Sequence, residues 1–235
     1  MTENSLVKTQ LQAVLERMEN ACIAAGRPVD EVQLLAVTKT VSPQLINEAI
    51  ACGVTAIGEN RVQEYLGKKD ELHLSGVKTH LIGHLQTNKV KQIVGSVDMI
   101  QSVDSERLAE AIHKASLAQG ICTDVLIEVN IGREPQKAGV MPEMLLPLLE
   151  SASCLSGIHV CGLMTIPPIL ETSAEKRKIF SEMYQLFIDI REKKLDNIDV
   201  HTLSMGMSGD YYEAILEGAT TVRVGSAIFG QRPPK

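Results

Sequence analysis

The chain is poor in aromatic residues, with no tryptophan, three phenylalanines and four tyrosines among 235 residues. It also lacks an excess of positive charge, because 23 lysines and arginines face 29 acidic residues and give a net charge of -6. Proteins that bind nucleic acid present basic stripes, and those that bind single strands add aromatic side chains on which bases stack. The sequence has neither feature, so we expect no nucleic-acid partner.

Long apolar runs and paired cysteines are also missing. No uninterrupted apolar run is long enough to cross a bilayer, and the N-terminus has no charged region followed by an apolar stretch. The five cysteines are odd in number and never form a C-x-x-C pair. Several of them lie inside apolar segments, where cysteine behaves as a small hydrophobic residue. We therefore expect a cytoplasmic protein with reduced thiols and no membrane partner.

Familiar catalytic and metal-binding motifs are absent as well. The sequence contains no Ser-His-Asp arrangement, no Walker-type phosphate loop and no H-E-x-x-H motif. His80 and His84 are four residues apart, a spacing that suits a metal only when both residues lie on a helix. Gly83 interrupts this segment, which has the pattern of a strand end. The sequence therefore predicts no metal site.

Short apolar runs alternate with longer amphipathic segments along the whole chain. The predicted strands are residues 34–38, 56–58, 80–82, 99–102, 125–130, 159–163, 201–203 and 221–224. The predicted helices are residues 4–25, 43–52, 62–72, 88–94, 105–119, 142–153, 174–194 and 208–217. Successive strands are separated by helices, and this order requires crossover connections and therefore a parallel sheet.

The number of strands selects the architecture. Eight strands with intervening helices within about 200 residues are typical of a (β/α)8 barrel. A doubly wound open sheet more often has a glycine-rich turn after its first strand, and no G-x-G-x-x-G motif occurs here. No linker-like segment divides the chain. We therefore predict one α/β domain over residues 1–235, a single TIM barrel with an extra N-terminal helix.

Lys39 directly follows the first predicted strand, and Ser42 and Pro43 begin the next helix. In a barrel, the active site gathers at the carboxyl ends of the strands. A primary amine that is partly stripped of water there loses some of its preference for the charged form. Such an amine can form a Schiff base with a carbonyl compound. The alternative interpretation is a solvated lysine that only ends the strand.

The loops after the seventh and eighth predicted strands are rich in serine and glycine. One contains Ser204 and Gly206, and the other contains Gly225 and Ser226. Barrels often bind phosphate in these two loops, where glycines let the backbone approach the anion and hydroxyl and N–H groups donate to it. Serine and glycine also form ordinary turns and helix caps, which is the alternative interpretation.

Arg223 lies within the apolar strand 221–224. Buried arginines are rare without a partner, so this one needs a carboxylate, a phosphate or an aromatic nitrogen that accepts a hydrogen bond. A structural ion pair is the alternative. Asn60, Asn88 and Asn130 also lie near the predicted rim, but spacing alone assigns no role to any of them.

Six segments resemble, in the same order, the pyridoxal phosphate homeostasis protein family, single-domain relatives of the N-terminal barrel of alanine racemase. The segments are LAVTKT (35–40), GENRVQE (58–64), HLIGHLQTNK (80–89), GLMTIP (162–167), LSMGMS (203–208) and VRVGSAIFG (222–230). They extend over almost the whole chain. Six ordered motifs form a much more specific signal than any one of them.

The resemblance implies that Lys39 holds pyridoxal 5′-phosphate as a Schiff base and that Arg223 faces the pyridine nitrogen of the cofactor. Asn60 and Met164 would lie near the ring. The residues that the resemblance implies for the phosphate group are Ser204, Gly206, Gly225 and Ser226. Position 226 is often threonine in the family, and serine retains the hydroxyl.

An arginine at the pyridine nitrogen donates a hydrogen bond without giving up its proton, which makes the ring a weak electron sink. Alanine racemase has a similar arrangement, but it uses a tyrosine from a second domain that we do not expect here. We therefore expect a monomeric protein of pyridoxal phosphate homeostasis, without catalytic residues, whose partners include enzymes that need the cofactor. The alternatives are an amino-acid racemase or lyase, and a phosphate-ligand barrel in which Lys39 only pairs with an anion.

Overall fold

The computed structural model describes residues 5–230, which form a closed barrel of parallel strands. Each strand is hydrogen-bonded to the next in chain order, and the eighth pairs with the first. The strands are β1 (Gln33–Val37), β2 (Ala56–Glu59), β3 (Lys78–Leu81), β4 (Met99–Val103), β5 (Thr123–Glu128), β6 (Ile158–Met164), β7 (Ile198–Met207) and β8 (Thr221–Val224). This is the predicted (β/α)8 architecture.

Helices surround the barrel and connect its strands. They are α1 (Leu6–Ala25), α2 (Pro43–Ala51), α3 (Val62–Lys68), α4 (Val90–Ile93), α5 (Glu106–Ala118), α6 (Leu145–Ser153), α7 (Ser173–Glu192), α8 (Tyr211–Leu216) and α9 (Ser226–Phe229). Within residues 5–230, no helix combines the length and the apolar character that crossing a bilayer requires.

The predicted N-terminal helix is confirmed as α1. The Ser5 hydroxyl accepts a hydrogen bond from the backbone N–H of Lys8, 3.2 Å away, and caps the first turn. Gly26 ends the helix in the left-handed conformation, with φ of 66°, which glycine adopts without strain. The buried face of α1 packs against α8 and α9. The helix therefore supports the two elements that follow β7 and β8.

The largest difference from the predicted elements is the length of β7, which extends from Ile198 to Met207 instead of over residues 201–203. Polar residues alternate with apolar ones along it, so no continuous apolar run marks its ends. The strand β5 ends at Glu128, two residues earlier than predicted. The helix α9 has only four residues, too few to give a helical period in the sequence.

The strand residues alternate between two environments. Those that point outward, such as Ile57 and Val222, pack with the helices in one continuous apolar core. A separate apolar cluster fills the inside of the barrel at its first three strands. Its members are Leu35, Val37, Ala56 and Ile82. The inside of the remaining strands carries several polar side chains, and these build the site.

Candidate functional site

A cavity of about 510 Å³ opens at the carboxyl end of the strands. Its lining combines one amine, one guanidinium, hydroxyl groups and apolar side chains. The lining residues are Val37, Lys39, Asn60, Ile82, Ile166, Met207, Ser208, Gly209, Arg223, Gly225 and Ser226. This volume and this mixture of groups are typical of sites for small molecules and cofactors.

The position of Lys39 follows from the way β1 ends. Thr38 is fully buried, and its backbone N–H donates to the carbonyl of Gly58 in β2, 3.0 Å away. Thr40 then takes a left-handed conformation with φ of 60°, and Pro43 begins α2 shortly afterwards. The turn therefore lies between a fixed strand end and a helix start, and it holds Lys39 at the rim.

A buried ion pair fixes the residue that precedes Lys39. The Lys68 ammonium lies 2.6 Å from Glu59 Oε1 and donates to the carbonyl oxygen of Thr38 at 2.8 Å. The Thr38 hydroxyl donates to the same Glu59 carboxylate. Burial outweighs these contacts and raises the pKa of Glu59 above its usual value. The pair thus ties β2 and α3 to the end of β1.

Arg223 is held inside the barrel by neutral groups. Its side chain donates from Nη1 to the Ser204 hydroxyl at 2.8 Å and from Nη2 to the Thr165 carbonyl oxygen at 2.6 Å. Ser204 in turn donates to Gln101 Oε1 at 2.7 Å, and Gln101 Nε2 lies 2.7 Å from His80 Nδ1. A row of hydrogen bonds across the inside of the barrel therefore orients the guanidinium.

Burial sets the protonation states of His80 and Arg223, the two titratable groups in this row of hydrogen bonds. Desolvation lowers the pKa of His80 to about 4, so the ring is neutral near pH 7 and Nδ1 can accept from Gln101. Desolvation also lowers the pKa of Arg223 to about 10, and the group still carries its charge near neutrality. Among residues 5–230, no carboxylate lies within ion-pair distance of Arg223. The guanidinium thus presents a positive charge to the cavity.

The loops after β7 and β8 meet through Ser208. Its hydroxyl accepts from the backbone N–H groups of Gly225 and Ala227, at 3.1 and 3.4 Å. Gly206 lies behind this loop with φ of 88°, and a Cβ at that position would lie 2.5 Å from the Cβ of Ala214. Glycine is therefore required where β7 passes α8.

The structure brings five of the eight residues implied for the cofactor into the lining of one cavity. They are Lys39, Asn60, Arg223, Gly225 and Ser226. The other three lie behind the lining: Ser204 contacts Arg223, Gly206 packs against α8, and Met164 is buried in an apolar cluster with Met99, Leu126 and Cys161.

Ser208 is the polar lining residue to which the sequence pattern assigns no role. It belongs to the same segment as Ser204, so the serine-rich loop indicated it, but the pattern did not distinguish the two hydroxyls. Ile166 and Ile82 also line the cavity and supply apolar walls. Both residues lie at or just after the end of a predicted strand, and because the strand ends form the rim, this position could have indicated that they line the cavity.

The family model described as alanine racemase, N-terminal domain, matches residues 10–233. A pyridoxal phosphate homeostasis protein of Aquifex aeolicus is 45% identical over 223 residues, which are 95% of this chain and 97% of that relative. The protein of the same name from Pseudomonas aeruginosa is 37% identical over 228 residues, 97% of this chain and 96% of that one.

Solved structures give the same result. An unknown protein from Bifidobacterium adolescentis matches with a TM-score of 0.91 at 38% identity, over 95% of this chain and 94% of that one. PipY of Synechococcus elongatus, solved with pyridoxal phosphate bound, matches with a TM-score of 0.81 at 35% identity, over 92% and 100%. Alanine racemase of Clostridium difficile shares the fold, with a TM-score of 0.70 at 15% identity, over 96% and 58%. The chain therefore belongs to the pyridoxal phosphate homeostasis protein family, which has the barrel of the N-terminal domain of alanine racemase.

Proposed function

We propose that this chain binds pyridoxal 5′-phosphate, takes part in the homeostasis of that cofactor, and holds it covalently on Lys39 without substantial turnover. The observation that carries the proposal is one cavity lined by Lys39, Arg223 and two loops that contain serine and glycine. The name of the relatives, and the pyridoxal phosphate bound to PipY, support the choice of ligand.

The lining fits the chemistry of this cofactor. When bound, pyridoxal phosphate supplies an aldehyde that condenses with a primary amine, with loss of water, and a ring that withdraws electrons. Lys39 offers the amine, and Arg223 offers a fixed positive donor. Among the described residues, Asn60 Oδ1 is a buried atom without a hydrogen-bond partner, so a ligand that donates to it would remove a desolvation cost.

We assign roles to the residues by their place around the cavity. Lys39 forms the covalent link, Arg223 faces the pyridine nitrogen, and Asn60 contacts the ring. Gly225 and Ser226 hold the phosphate group, together with Ser208, whose hydroxyl already bridges the two loops. The residues that lie behind the lining support these groups, Ser204 by orienting Arg223, Gly206 by shaping the loop, and Met164 by packing in the apolar cluster with Met99, Leu126 and Cys161.

Borohydride reduction followed by peptide mass spectrometry tests the covalent link. We expect a reduced pyridoxyl phosphate group on Lys39 in the wild type and its loss in Lys39→Ala. Lys89→Ala is the matched control, because both lysines are partly exposed. An adduct that remains on another lysine in Lys39→Ala, or its loss in the control variant, would contradict the assignment. Retention of full ligand binding by Lys39→Arg would favour an anion site without a covalent link.

The proposal that the protein has no substantial turnover rests on the acid–base groups around the cavity. Among the described residues that line the cavity, the side chains are one amine, one guanidinium, one amide, hydroxyls and apolar groups, and none is a carboxylate, imidazole, thiol or phenol. Racemisation needs a group that removes a proton on one face and a group that returns it on the other. Lys39 supplies at most one of the two, since the arginine does not give up its proton in this pH range.

Proton NMR of amino acids in heavy water tests this part. We expect the α-proton signal to decay no faster with the loaded protein than with free cofactor. A faster decay that Lys39→Ala abolishes would establish the alternative function, a racemase or lyase that removes the α-proton.

We also propose that the protein acts in the cytoplasm as a monomer and that enzymes needing the cofactor receive it from this chain. Light scattering during gel filtration tests the oligomeric state, with one species of about 25.6 kDa as the expected result. Incubation of the loaded protein with an apo-enzyme, with a scavenger of free cofactor present, tests the transfer. Reactivation that the scavenger abolishes would mean that the cofactor passes through solution.

A further inference from the structure

A second cluster of reactive side chains lies at the amino end of the strands, opposite the cavity. Asp124 and His159 are the second residues of β5 and β6 and are direct register partners. Cys161 follows two residues later on β6. The carboxylate, the imidazole and the thiol each place one potential ligand atom within 4.8 Å of the other two.

One ring nitrogen is the centre of this cluster. His159 Nδ1 lies 3.1 Å from Asp124 Oδ1 and 3.4 Å from Cys161 Sγ. A proton on Nδ1 can be donated to only one of these neighbours in a linear hydrogen bond. A cation in place of that proton contacts all three atoms at once. In a tetrahedral zinc site, bonds of about 2.0 to 2.3 Å place neighbouring ligand atoms roughly 3.3 to 3.6 Å apart, close to these separations.

A bulge in β6 places the thiol in this position. The register pairs Val125 with Val160 but Leu126 with Gly162, so Cys161 is the extra residue on β6. Gly162 has φ of 150°, and a Cβ there would overlap the carbonyl oxygen of Thr202. The bulge therefore depends on glycine at this position. Bulges often redirect a side chain at a functional site.

The same residue types also occur in nucleophilic cysteine triads, but the geometry here differs. In a triad, the two ring nitrogens contact different partners, the acid on one side and the nucleophile on the other. Here Nδ1 contacts both. The thiol is also almost fully buried and lies beside the Asp124 carboxylate. An activated thiol needs the opposite environment.

We propose that Asp124, His159 and Cys161 form a binding site for a divalent transition-metal ion, with zinc as the best match to their chemistry. A thiolate, an imidazole and a carboxylate together select zinc over the hard cations magnesium and calcium. The side chains of Asp124 and His159 are 49% and 34% exposed, so an ion can reach the site from solvent. Water takes the fourth coordination position.

The test uses the full-length protein after treatment with a chelator and buffer exchange. Zinc is titrated in competition with a chromophoric chelator, and cobalt is titrated separately, because a thiolate bound to cobalt gives a charge-transfer band. We expect one equivalent of either metal to bind. Cys161→Ser should abolish the band and weaken zinc binding about 100-fold or more, since the soft thiolate is one of only three protein ligands in the proposed site.

Two further variants keep the result interpretable. His159→Gln should also weaken binding strongly, with the fold checked by circular dichroism. Cys122→Ser is the control, because Cys122 is an exposed thiol two residues before Asp124 and should leave affinity within about twofold. Absence of saturable binding would overturn the proposal. So would binding that Cys122→Ser abolishes and that Cys161→Ser and His159→Gln leave unchanged.

Discussion

Two buried cations lie near the carboxyl end of the strands, Arg223 in the cavity lining and Lys68 beneath the end of β1, and their surroundings differ. Lys68 lies in a salt bridge with a fully buried carboxylate, Glu59, and also donates to a backbone carbonyl. Arg223 is 3% exposed, and the oxygens that it contacts, on Ser204 and Thr165, are neutral. The charge of Lys68 is therefore neutralised within the fold. The guanidinium of Arg223 is held in place by neutral oxygens, and its charge is not neutralised by them.

The difference indicates which cation serves the structure and which serves a ligand. Removing one member of a buried ion pair leaves the other charge in a poorly solvated place, and this is costly to stability. Removing a charge that is held by neutral acceptors leaves no charge behind. We therefore expect Lys68 to matter chiefly for folding and for the end of β1, and Arg223 to matter chiefly for binding.

The largest expected effect is on stability, in Glu59→Gln. This change removes the fully buried carboxylate that Lys68 contacts and leaves Glu64, 3.3 Å away and partly exposed, as the other counterion. We expect the free energy of unfolding to fall by about 3 kcal/mol, the lower end of the cost of breaking a buried ion pair. Urea denaturation followed by circular dichroism measures it. Glu110→Gln, which breaks the exposed pair with Lys114, is the control and should stay within about 0.5 kcal/mol of the wild type. Equal losses of stability in Glu59→Gln and Glu110→Gln would mean that the buried pair of Lys68 contributes no more than an exposed pair. Lys68 would then not be the structural cation that we contrast with Arg223.

The next effect concerns Glu128, a buried carboxylate whose charge acts on Arg223. Burial and the charge of Asp104 raise the pKa of Glu128 to about 7, while Arg223 opposes the shift. The folded state therefore binds this proton more tightly than the unfolded state does. The stability that this proton contributes is fully present below about pH 4.5 and is lost as the pH rises through about 7.

Glu128→Gln removes this titration. Relative to the wild type, the variant should gain stability between pH 5 and 8, by up to about 3 kcal/mol at about 1.4 kcal/mol per unit of pKa shift. Urea denaturation at several pH values measures the difference. A variant that is less stable than the wild type at pH 8 would mean that an ionised Glu128 neutralises Arg223, and the two cations would then be alike.

Arg223→Met addresses binding directly. It removes a charge-assisted hydrogen bond to the proposed ligand, a contact worth about 1.5 to 3 kcal/mol, so we expect pyridoxal phosphate to bind roughly 10 to 100 times more weakly. Absorbance titration measures the affinity, and denaturation should show a smaller loss of stability than in Glu59→Gln. An unchanged affinity with a large loss of stability would make Arg223 a structural residue.

The fold could be predicted because its signals are local. Most of the strands and the longer helices have their own hydrophobic period, and eight repetitions identify the barrel. Lys39 was predictable for the same reason, because it directly follows a strand, and strand ends form the rim. The position of Arg223 within an apolar strand likewise indicated a buried guanidinium.

The remaining parts of the site depend on contacts between distant segments. Glu59 and Lys68 meet across β2 and α3, and nothing in the spacing of the two residues marks a pair. The register of β7 against β8 shifts between Ser204 and Met207, so Ser204 points towards Arg223 while Ser208 reaches the cavity. A bulge changes which residues face inward, and a sequence pattern does not reveal where it occurs.

The smallest effect separates these two serines. Ser204→Ala removes one hydrogen bond to Arg223, and we expect both pyridoxal and pyridoxal phosphate to bind about fivefold more weakly, the equivalent of about 1 kcal/mol. Ser208→Ala should weaken binding of pyridoxal phosphate by a similar factor and leave pyridoxal, which has no phosphate group, unaffected. Absorbance titration with both ligands measures the two ratios. If Ser204→Ala affected only the phosphorylated ligand, Ser204 would hold the phosphate group itself, and Arg223 would keep its orientation through the Thr165 carbonyl alone.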